Sequence, residues 1–396
     1  MSRLLLLLLF NVGTWAVLRS LWPGLMRGWR LAVFLVGSAV TFGTWLFPIL
    51  AGRHAMLPLA DAALRTFSAG WTIASLMVVL IGSPVALLRA WLERRDRKAA
   101  AAPPAGVEVD LGRRTLLTNV GRAVPLLAVG TSSAGMVAGA SGFEVREVEV
   151  RLRGLPRALD GFRIGQITDV HVGTFIDTQY VRAAVEAMNE AKVDLQVMTG
   201  DLIDDLEQLG ETMAALETCR APHGMLAILG NHEHWRGLRP IREAYAESAR
   251  RGSPVRLLVD ESHVLEHAGE RLRVVGVDYP MSGRSMQVKA ERMQRSAELA
   301  FRGVSPEETI LCLTHHPDFF PLAVERGARL TLAGHTHGGQ VAILGMPLFR
   351  FAFDYMLGRY RRGNGQLYVS GGTGHWLPFR LGVPAEVTLF TLRAEA

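Results

Sequence analysis

Residues 329–340 read RLTLAGHTHGGQ, in which a short apolar run is followed at once by Gly334, His335, Thr336 and His337. Short apolar runs of about four to eight residues are typical of strands that are covered on both faces. A glycine after such a strand lets the backbone turn sharply and approach its neighbours closely. We therefore expect a buried strand that ends by presenting two histidines. The alternative is a tight turn that carries solvated histidines.

Four other short apolar runs also end in polar residues that can bind a ligand. They are FRIGQIT before Asp169, LQVMT before Gly200 and Asp201, MLAIL before Gly230, Asn231, His232 and Glu233, and ILCLT before His315 and His316. Segments 178–191 and 205–218 have helical periodicity, which together with the strands indicates an α/β class. A rigid sheet would hold the strand ends together while the loops shape a pocket. The recurrence predicts one polar site at these strand ends.

The residue types at the strand ends are those that bind divalent metals. Carboxylate, amide oxygen and imidazole suit Mn, Fe or Zn rather than sites built from soft thiolates. Seven candidate ligands are too many for one tetrahedral zinc, so we predict two metals that share a carboxylate, as in two-metal phosphoryl transfer. The candidates are Asp169, His171, Asp201, Asn231, His315, His335 and His337. Each short motif alone is a weak signal, but their order and spacing together favour chemistry over a structural role.

These motifs resemble those of the calcineurin-like metallophosphoesterase family. They are Asp169-x-His171, Gly200-Asp201, Gly230-Asn231-His232-Glu233, His315 and Gly334-His335-Thr336-His337, in the family's order over about 170 residues. GHTHGGQ and the YVSGGTG pattern that begins at Tyr368 further resemble a membrane-anchored bacterial branch, which includes the YkuE type and UDP-2,3-diacylglucosamine pyrophosphatases. The resemblance implies a four-layer α/β/β/α sandwich of two mixed sheets flanked by helices.

The resemblance also implies a role for each site residue. The first metal would be bound by Asp169, His171 and His337, the second by Asn231, His315 and His335, and Asp201 would bridge both. His232 would face the phosphate, where it stabilises the transition state or protonates the leaving oxygen. A hydroxide on the metals would attack phosphorus in line. The family motif favours His315 over His316 as the ligand.

Several neighbouring residues are left with open alternatives. His316 would lie in the pocket or on the surface, Glu233 would orient a histidine or lie on the surface, and His234 has no assigned role. Arg359, Arg361, Arg362 and Arg380 would contact a phosphate or an anionic headgroup, or would lie in solvated turns. The apolar segment 343–353 would form a membrane-facing or lipid-binding lip, or would pack as a buried loop.

The first 142 residues contain four uncharged apolar stretches, at 4–18, 31–51, 69–88 and 123–143. A helix needs about 20 apolar residues to span a bilayer. The first stretch is short and resembles a signal-peptide core, but no convincing small-residue cleavage site follows it. The fourth is rich in Gly, Ser and Ala and is the weakest. We therefore expect three or four transmembrane helices in front of the sandwich.

Basic residues predict how these helices are oriented. They are concentrated between spans one and two and between spans three and four, where the second group is Arg89, Arg94, Arg95, Arg97, Lys98, Arg113, Arg114 and Arg122. If all four stretches span, both basic loops are cytoplasmic and the C-terminal domain faces outward from a bacterial inner membrane. The pair Arg113-Arg114 is either a twin-arginine export signal or an ordinary cytoplasmic flank. If the fourth stretch does not span, the domain is cytoplasmic.

The chain divides into membrane helices at 1–98, a linker with the fourth apolar segment at 99–142, and a globular domain at 143–396. Within this scheme, residues 99–112 (AAAAPPAGVEVDLG) have the composition of a flexible linker. The net charge is +6, but many arginines flank apolar segments, which fits a lipid surface and not nucleic acid. Cys219 and Cys312 lack metal-type spacing and are expected to be buried free thiols.

Together these features predict a membrane-anchored enzyme with two metals that hydrolyses a phosphodiester or pyrophosphate bond. The membrane region suggests a lipid-linked or cell-envelope substrate. A phosphomonoesterase or phosphoprotein phosphatase is one alternative. A catalytically silent membrane scaffold that keeps the fold is another, although no ligand position is lost from the sequence.

Overall fold

A computed structural model describes residues 2–51, 58–100, 111–281, 285–305 and 307–395 of the chain. The chain divides into two compact units, Met1–Val137 and Ala138–Ala396. Most of the proposed linker, residues 101–110, lies outside the described residues. Residues 99–100 and 111–112 at its two edges are helical.

The first unit is built from long apolar helices. They are α1 (Ser2–Leu21), α2 (Gly28–Ala51), α3 (Pro58–Ala100) and α4 (Leu111–Ala140), the last of which continues into the second unit. Each of the four is long and apolar enough to cross a membrane, through Leu4–Leu21, Gly28–Phe47, Ala63–Arg95 and Asn119–Ala140. The Asn11 side chain accepts hydrogen bonds from Ser38 and Trp71, a kind of polar contact that joins helices inside a bilayer.

Two mixed six-stranded sheets form the centre of the second unit. The first has the order β1 (Glu144–Arg153), β14 (Glu386–Glu395), β2 (Arg163–Ile167), β3 (Leu195–Thr199), β4 (Met225–Ile228) and β5 (Val255–Leu257). The second has the order β12 (Gly358–Arg362), β13 (Gly365–Val369), β9 (Leu330–Ala333), β8 (Thr309–Leu313), β7 (Glu270–Gly276) and β6 (Glu261–His267). A two-stranded ribbon, β10 (Ala342–Ile343) and β11 (Met346–Pro347), lies apart from both.

Three apolar layers hold the sheets and helices together. Ile164, Leu195 and Leu332 belong to a buried cluster that lies between the two sheets. A second cluster packs the first sheet against helices α5 (Thr178–Glu190), α6 (Leu209–Leu216) and α8 (Leu238–Arg250). A third packs the second sheet against α9 (Met286–Ala300) and α10 (Phe320–Glu325) and includes Cys312. The expected α/β/β/α sandwich is confirmed. Both cysteines are buried and free.

The five strands that precede the polar motifs run parallel to one another within each sheet. β2 pairs with β3 and β3 with β4, while β8 pairs with β9, all in parallel register. Their residues are almost entirely buried, which explains why each strand is a continuous apolar run. Because parallel strands end at the same edge of a sheet, the polar residues that follow them meet there.

Candidate metal centre

The loops at these strand ends hold their polar residues in an unusual backbone conformation. Five of the seven predicted ligands have positive φ: Asp169 (52°), His171 (59°), Asp201 (56°), His335 (75°) and His337 (49°). This left-handed region costs a residue with a side chain about 1 kcal/mol or more. A concentration of strained polar residues at one edge of a fold is typical of a functional site.

Glycines allow the loops to approach one another. A Cβ atom on Gly230 would lie 2.2 Å from Oδ1 of Asp201. On Gly334 it would lie 2.2 Å from Oδ2 of Asp169 and 2.2 Å from Oγ1 of Thr168. No real side chain fits at such distances. Both carboxylates therefore reach their positions only because a later strand-end motif carries glycine before its ligand, as the sequence predicts.

The side chains form two adjacent groups. In the first, Nε2 of His337 lies 3.0 Å from Nε2 of His171 and 3.4 Å from Oδ1 of Asp169. In the second, which also includes His335, Nε2 of His315 lies 3.2 Å from Oδ2 of Asp201. Within each group, one donor atom per residue lies within 4.8 Å of the others. The same Oδ2 of Asp201 is 3.8 Å from Nε2 of His171, so this carboxylate lies between the groups.

The donor atoms of this site fit two divalent cations. Oδ1 of Asn231 and Nδ1 of His335 are buried and have no hydrogen-bond partner among the described residues. Buried polar atoms normally have partners, because leaving one unsatisfied costs about 1–3 kcal/mol. Cations that accept these lone pairs would remove that cost. Oxygen and imidazole donors in this mixture suit Mn, Fe or Zn.

The electrostatic field of the site also favours positive charge. Burial opposes ionisation of Asp201, but the neighbouring imidazoles of His315 and His171 hold the pKa of that carboxyl below its ordinary value. Burial and the charge of Asp201 raise the pKa of Asp169. Burial would lower the pKa of His315, yet Asp201 and Asp169 raise it to about 10. The carboxylates thus attract whatever cation lies between them.

His232 lies beside the two groups and not within them. Its Nδ1 is hydrogen-bonded to Oδ1 of Asp204, and its Nε2 lies 3.9 Å from Oδ2 of Asp201. Arg236 donates two hydrogen bonds, at 3.2 and 3.1 Å, to the same oxygen of Asp204. The other oxygen of Asp204 is 3.4 Å from Nδ1 of His171. A single carboxylate therefore orients a predicted metal ligand and the predicted proton donor.

Residues 162–339 match the family model described as calcineurin-like phosphoesterase. This part of the chain is a calcineurin-like phosphoesterase domain. Calcineurin-like phosphoesterases use a dinuclear metal site, and the His and Asp groups described above could bind metal.

Similar curated proteins match the same region. An uncharacterized metallophosphoesterase of Helicobacter pylori J99 is 30% identical over 63% of this chain and 64% of its own length. The uncharacterized metallophosphoesterase YkuE of Bacillus subtilis is 27% identical over 63% of this chain and 86% of its own length. A transmembrane protein with metallophosphoesterase domain of Danio rerio is 27% identical over 65% of this chain and 59% of its own length. The chain thus spans less than two thirds of the Helicobacter relative. The apolar helices and the transmembrane relative indicate association with a membrane.

Among solved structures, a dimetal phosphatase from Danio rerio is similar to this chain at 14% identity. The match has a TM-score of 0.37 and covers 55% of this chain and 90% of that one.

Glu233 has a role in the phosphoesterase domain that neither sequence alternative described. Its side chain is buried and accepts hydrogen bonds from the backbone N–H groups of Gly230 (2.7 Å), Asp201 (3.0 Å), Leu202 (2.6 Å) and Ile203 (3.3 Å). It therefore contacts no histidine through these bonds and does not lie on the surface. Instead it fastens the loop of Asp201 to the loop that carries Asn231.

Asp204 is the residue of this site that the sequence analysis missed. The available signal was the run GDLIDD, in which a second carboxylate follows Asp201, the predicted bridging ligand, by three residues. His234, which had no assigned role, donates a hydrogen bond from Nε2 to Oδ1 of Asp278 at 2.8 Å. The next residue, Tyr279, places its ring 5.5 Å from that of His335. Burial raises the pKa of the Tyr279 hydroxyl to about 12.

His316 is buried beside the ligand loops of the phosphoesterase domain. Its ring lies 4.7 Å from the ring of His335, and its Nδ1 accepts a hydrogen bond from the backbone of Asp318 at 3.2 Å. Burial lowers the pKa of His316 to about 4. Of the alternatives weighed from the sequence, the surface position is therefore wrong.

The four downstream arginines differ from one another in environment. Arg380 is buried and donates to the backbone carbonyls of Gly371, Gly372 and Gly374. Burial lowers the pKa of its guanidinium to about 10. Both expectations for Arg380, a phosphate contact and a solvated turn, are wrong, because the residue supports the loop that accompanies Asp169. Arg359, Arg361 and Arg362 are exposed on β12, and the last two lie within 4 Å of Glu395 and Glu325, respectively.

Proposed function

We propose that this protein hydrolyses a phosphodiester or pyrophosphate bond at two divalent metal ions. Asp169, His171 and His337 would hold one ion, and Asn231, His315 and His335 the other. The observation that carries the proposal is the position of Asp201, whose Oδ2 lies within 4 Å of an imidazole nitrogen of each group. When bound, two such ions supply Lewis acidity toward the phosphate and lower the pKa of a water molecule.

His232 is the proposed proton donor to the leaving oxygen. Its bond to Asp204 places a proton on Nδ1 and leaves Nε2 directed toward the metal groups, 3.9 Å from Asp201. Arg236 donates to the same oxygen of Asp204 and so helps to keep the histidine in one orientation. A protonated imidazole in this position could donate its Nε2 proton to the departing alkoxide oxygen.

Two arginines near the site favour a phosphodiester over a phosphomonoester. A phosphomonoester carries more negative charge on its transferred phosphoryl group, and proteins usually bind that charge with a free guanidinium. Arg236 is engaged by Asp204, and Arg380 is engaged by backbone carbonyls. Neither is available to a second phosphate charge.

Hydrolysis of chromogenic esters by the full chain tests the proposal. We expect the manganese-loaded protein to hydrolyse bis-p-nitrophenyl phosphate faster than p-nitrophenyl phosphate, with about two metals per chain. Faster monoester turnover would favour a phosphomonoesterase. Less than about one metal per chain with no turnover of either ester would favour a silent scaffold.

We further propose that residues 143–396 form the catalytic domain and that it faces outward from a bacterial inner membrane. The basic residues that flank the third and fourth apolar stretches support this orientation. The outward and cytoplasmic orientations are distinguished by fusing, after residue 396, a fluorescent protein that becomes fluorescent only in the cytoplasm. Absence of fluorescence together with a full-length fusion on a blot is expected, and bright fluorescence would reverse the assignment.

A further inference from the structure

The segment that follows the metal loop is an exposed apolar hairpin. We use this name for residues 341–351, in which Ile343 of β10 pairs with Met346 of β11. Ile343 is 58% exposed, Leu344 96%, Met346 57% and Phe351 83%. The sequence-based alternative of a buried loop is therefore wrong. A contiguous exposed apolar surface on a globular domain marks a contact with another apolar body.

The tip of the apolar hairpin is unfavourable for a protein that is surrounded by water. The two-residue turn consists of Leu344 and Gly345, with φ of 51° and 77°. A turn with positive φ at both positions prefers Asn-Gly, because a leucine side chain is strained there. Neither the backbone geometry nor solvation thus favours leucine at this position. A favourable contact of this side chain with something outside the folded domain would account for the leucine.

The base of the apolar hairpin adjoins the end of an apolar helix. The Gln340 side chain donates to the carbonyls of Leu377 (3.1 Å) and Phe379 (2.9 Å), and Ala342 donates its N–H to Leu381 at 2.7 Å. Segment 377–381 also meets the last turn of α4, where a Cβ on Gly139 would lie 2.8 Å from the backbone nitrogen of Phe379. The membrane-capable part of α4 extends to Ala140. Segment 377–381 therefore contacts both the base of the hairpin and the last turn of this apolar helix.

Residues around the apolar hairpin have the chemistry of a membrane interface. Trp376, immediately before segment 377–381, is 49% exposed. Arg350 is exposed beside Phe351. Tryptophan is enriched at the level of lipid headgroups, and arginine there extends its charge toward phosphates while its stem remains among apolar groups. A bilayer surface matches this combination better than a purely apolar protein groove.

The apolar hairpin is joined to the metal centre at both ends. Gln340, the residue just before the hairpin, directly follows the 3₁₀ turn His337–Gly339, which carries a predicted metal ligand. Just beyond its end, the ring of Phe353 lies 6.1 Å from the ring of His335. Whatever position the hairpin adopts at a surface is thus transmitted to the site through a few residues.

We propose that the apolar hairpin inserts its tip into the bilayer and holds the metal centre beside the lipid headgroups, so that the substrate is a phosphate ester carried by a membrane lipid. The second part of this proposal rests on the hydrolytic function proposed above. The first part, insertion, concerns only the position of the hairpin and is independent of catalysis.

Insertion is tested with spin labels on the full chain in liposomes of phosphatidylethanolamine and phosphatidylglycerol. One label is placed at Leu344→Cys and a control label at Met286→Cys, an apolar side chain that is 73% exposed on α9. The native Cys219 and Cys312 are buried and should react little with the label, and the parent protein treated with the same label supplies the background signal. Power saturation measures how often each label collides with oxygen, which enters the bilayer, and with a water-soluble nickel chelate, which does not. We expect the label at position 344 to collide more with oxygen, and the label at position 286 to collide more with the nickel chelate.

Equal access of the nickel chelate to both labels would overturn the insertion. Dipolar broadening at position 344 that disappears on dilution with unlabelled protein would also overturn it, because the hairpin would then contact a second copy of the chain.

The lipid-borne substrate is tested with Leu344→Asn, which suits the left-handed turn and should fold. We expect turnover of phosphatidylglycerol or of a polyprenyl pyrophosphate in liposomes to fall at least about fivefold, while bis-p-nitrophenyl phosphate is hydrolysed at the parental rate. Met286→Asn should change neither. Hydrolysis of the soluble diester but of neither lipid would overturn the lipid substrate and leave the hydrolytic function intact. Hydrolysis of none of the three would contradict the hydrolytic function, whereas the spin-label result would stand.

Discussion

The metal loops and the apolar hairpin follow one another in the chain, yet they depart from ordinary protein structure in opposite ways. The loops bury polar atoms, such as Oδ1 of Asn231, that have no hydrogen-bond partner among the described residues. The hairpin exposes Leu344 almost completely. Both hold residues with side chains at positive φ. In each case, a partner outside the chain would restore the free energy that is lost within the domain. As proposed above, this partner is a pair of cations for the metal loops and a lipid bilayer for the hairpin.

The largest expected effect breaks the first half of this comparison. Asp201→Asn should lower phosphodiester turnover by about 10³-fold or more and should lower the metal content, because a neutral amide cannot bridge two cations. In chelator, the variant should also unfold earlier than the parent, because it leaves the buried His315, which lies 3.2 Å from Oδ2 of Asp201, without its carboxylate partner. Metal analysis and thermal unfolding check both outcomes. The exposed Asp354→Asn serves as control, and parental metal content in Asp201→Asn would contradict the bridging role.

A smaller effect separates proton donation from metal binding. Asp204→Asn should lower kcat by about 10²-fold for a diester with an alkyl leaving group while the metal content stays at the parental value. The loss should be much smaller with p-nitrophenol as leaving group, because that oxygen needs no proton. A plot of rate against leaving-group pKa checks this. Equal losses for both leaving groups would indicate that Asp204 only supports the fold.

Glu233→Gln should have a still smaller effect on activity, about 10-fold, together with lower stability. The carboxylate accepts four backbone hydrogen bonds, and a glutamine oxygen cannot replace both of its oxygens. We expect a loss of about 2–3 kcal/mol in the free energy of unfolding. Chemical denaturation in detergent measures it, and Glu291→Gln on the exposed face of α9 is the matched control. Unchanged stability would mean that the two loops do not depend on this contact.

The smallest effect concerns the apolar hairpin and has the opposite sign. In detergent, Leu344→Asn should leave the free energy of unfolding unchanged or raise it by about 0.5–1 kcal/mol, because asparagine tolerates a left-handed turn better than leucine. The same denaturation measurement checks it. A clear loss of stability would show that Leu344 supports the domain itself, and the contrast with the metal loops would disappear.

The sequence predicted those parts of the molecule that depend on short stretches of chain. The strand ends at Asp201, Asn231 and His335 are recognisable because an apolar run and a glycine directly precede each polar residue. The ligand assignments themselves remain predictions, although the structure brings those side chains together. The fold of two sheets followed from the family resemblance more than from the strands.

What the sequence did not reveal depends on contacts between distant segments. The burial of Arg380 follows from carbonyls of the loop 371–374 that close around it, and the local sequence LPFRLG gives no sign of these distant partners. Glu233 binds a loop about 30 residues away. For the segment 343–353 the apolar composition was plain, but composition alone cannot tell whether an apolar run faces a core or the outside.

The pairing of β1 with β14 has a mechanical consequence. β1 directly follows α4 and is hydrogen-bonded along ten residues, from Glu144↔Glu386 to Arg153↔Glu395, to a parallel neighbour. A force that acts on the start of β1 along the strand axis would load the whole ladder in shear, so that its hydrogen bonds would resist together instead of opening one after another. The first strand of the domain is thus protected against being pulled off the sheet in that direction.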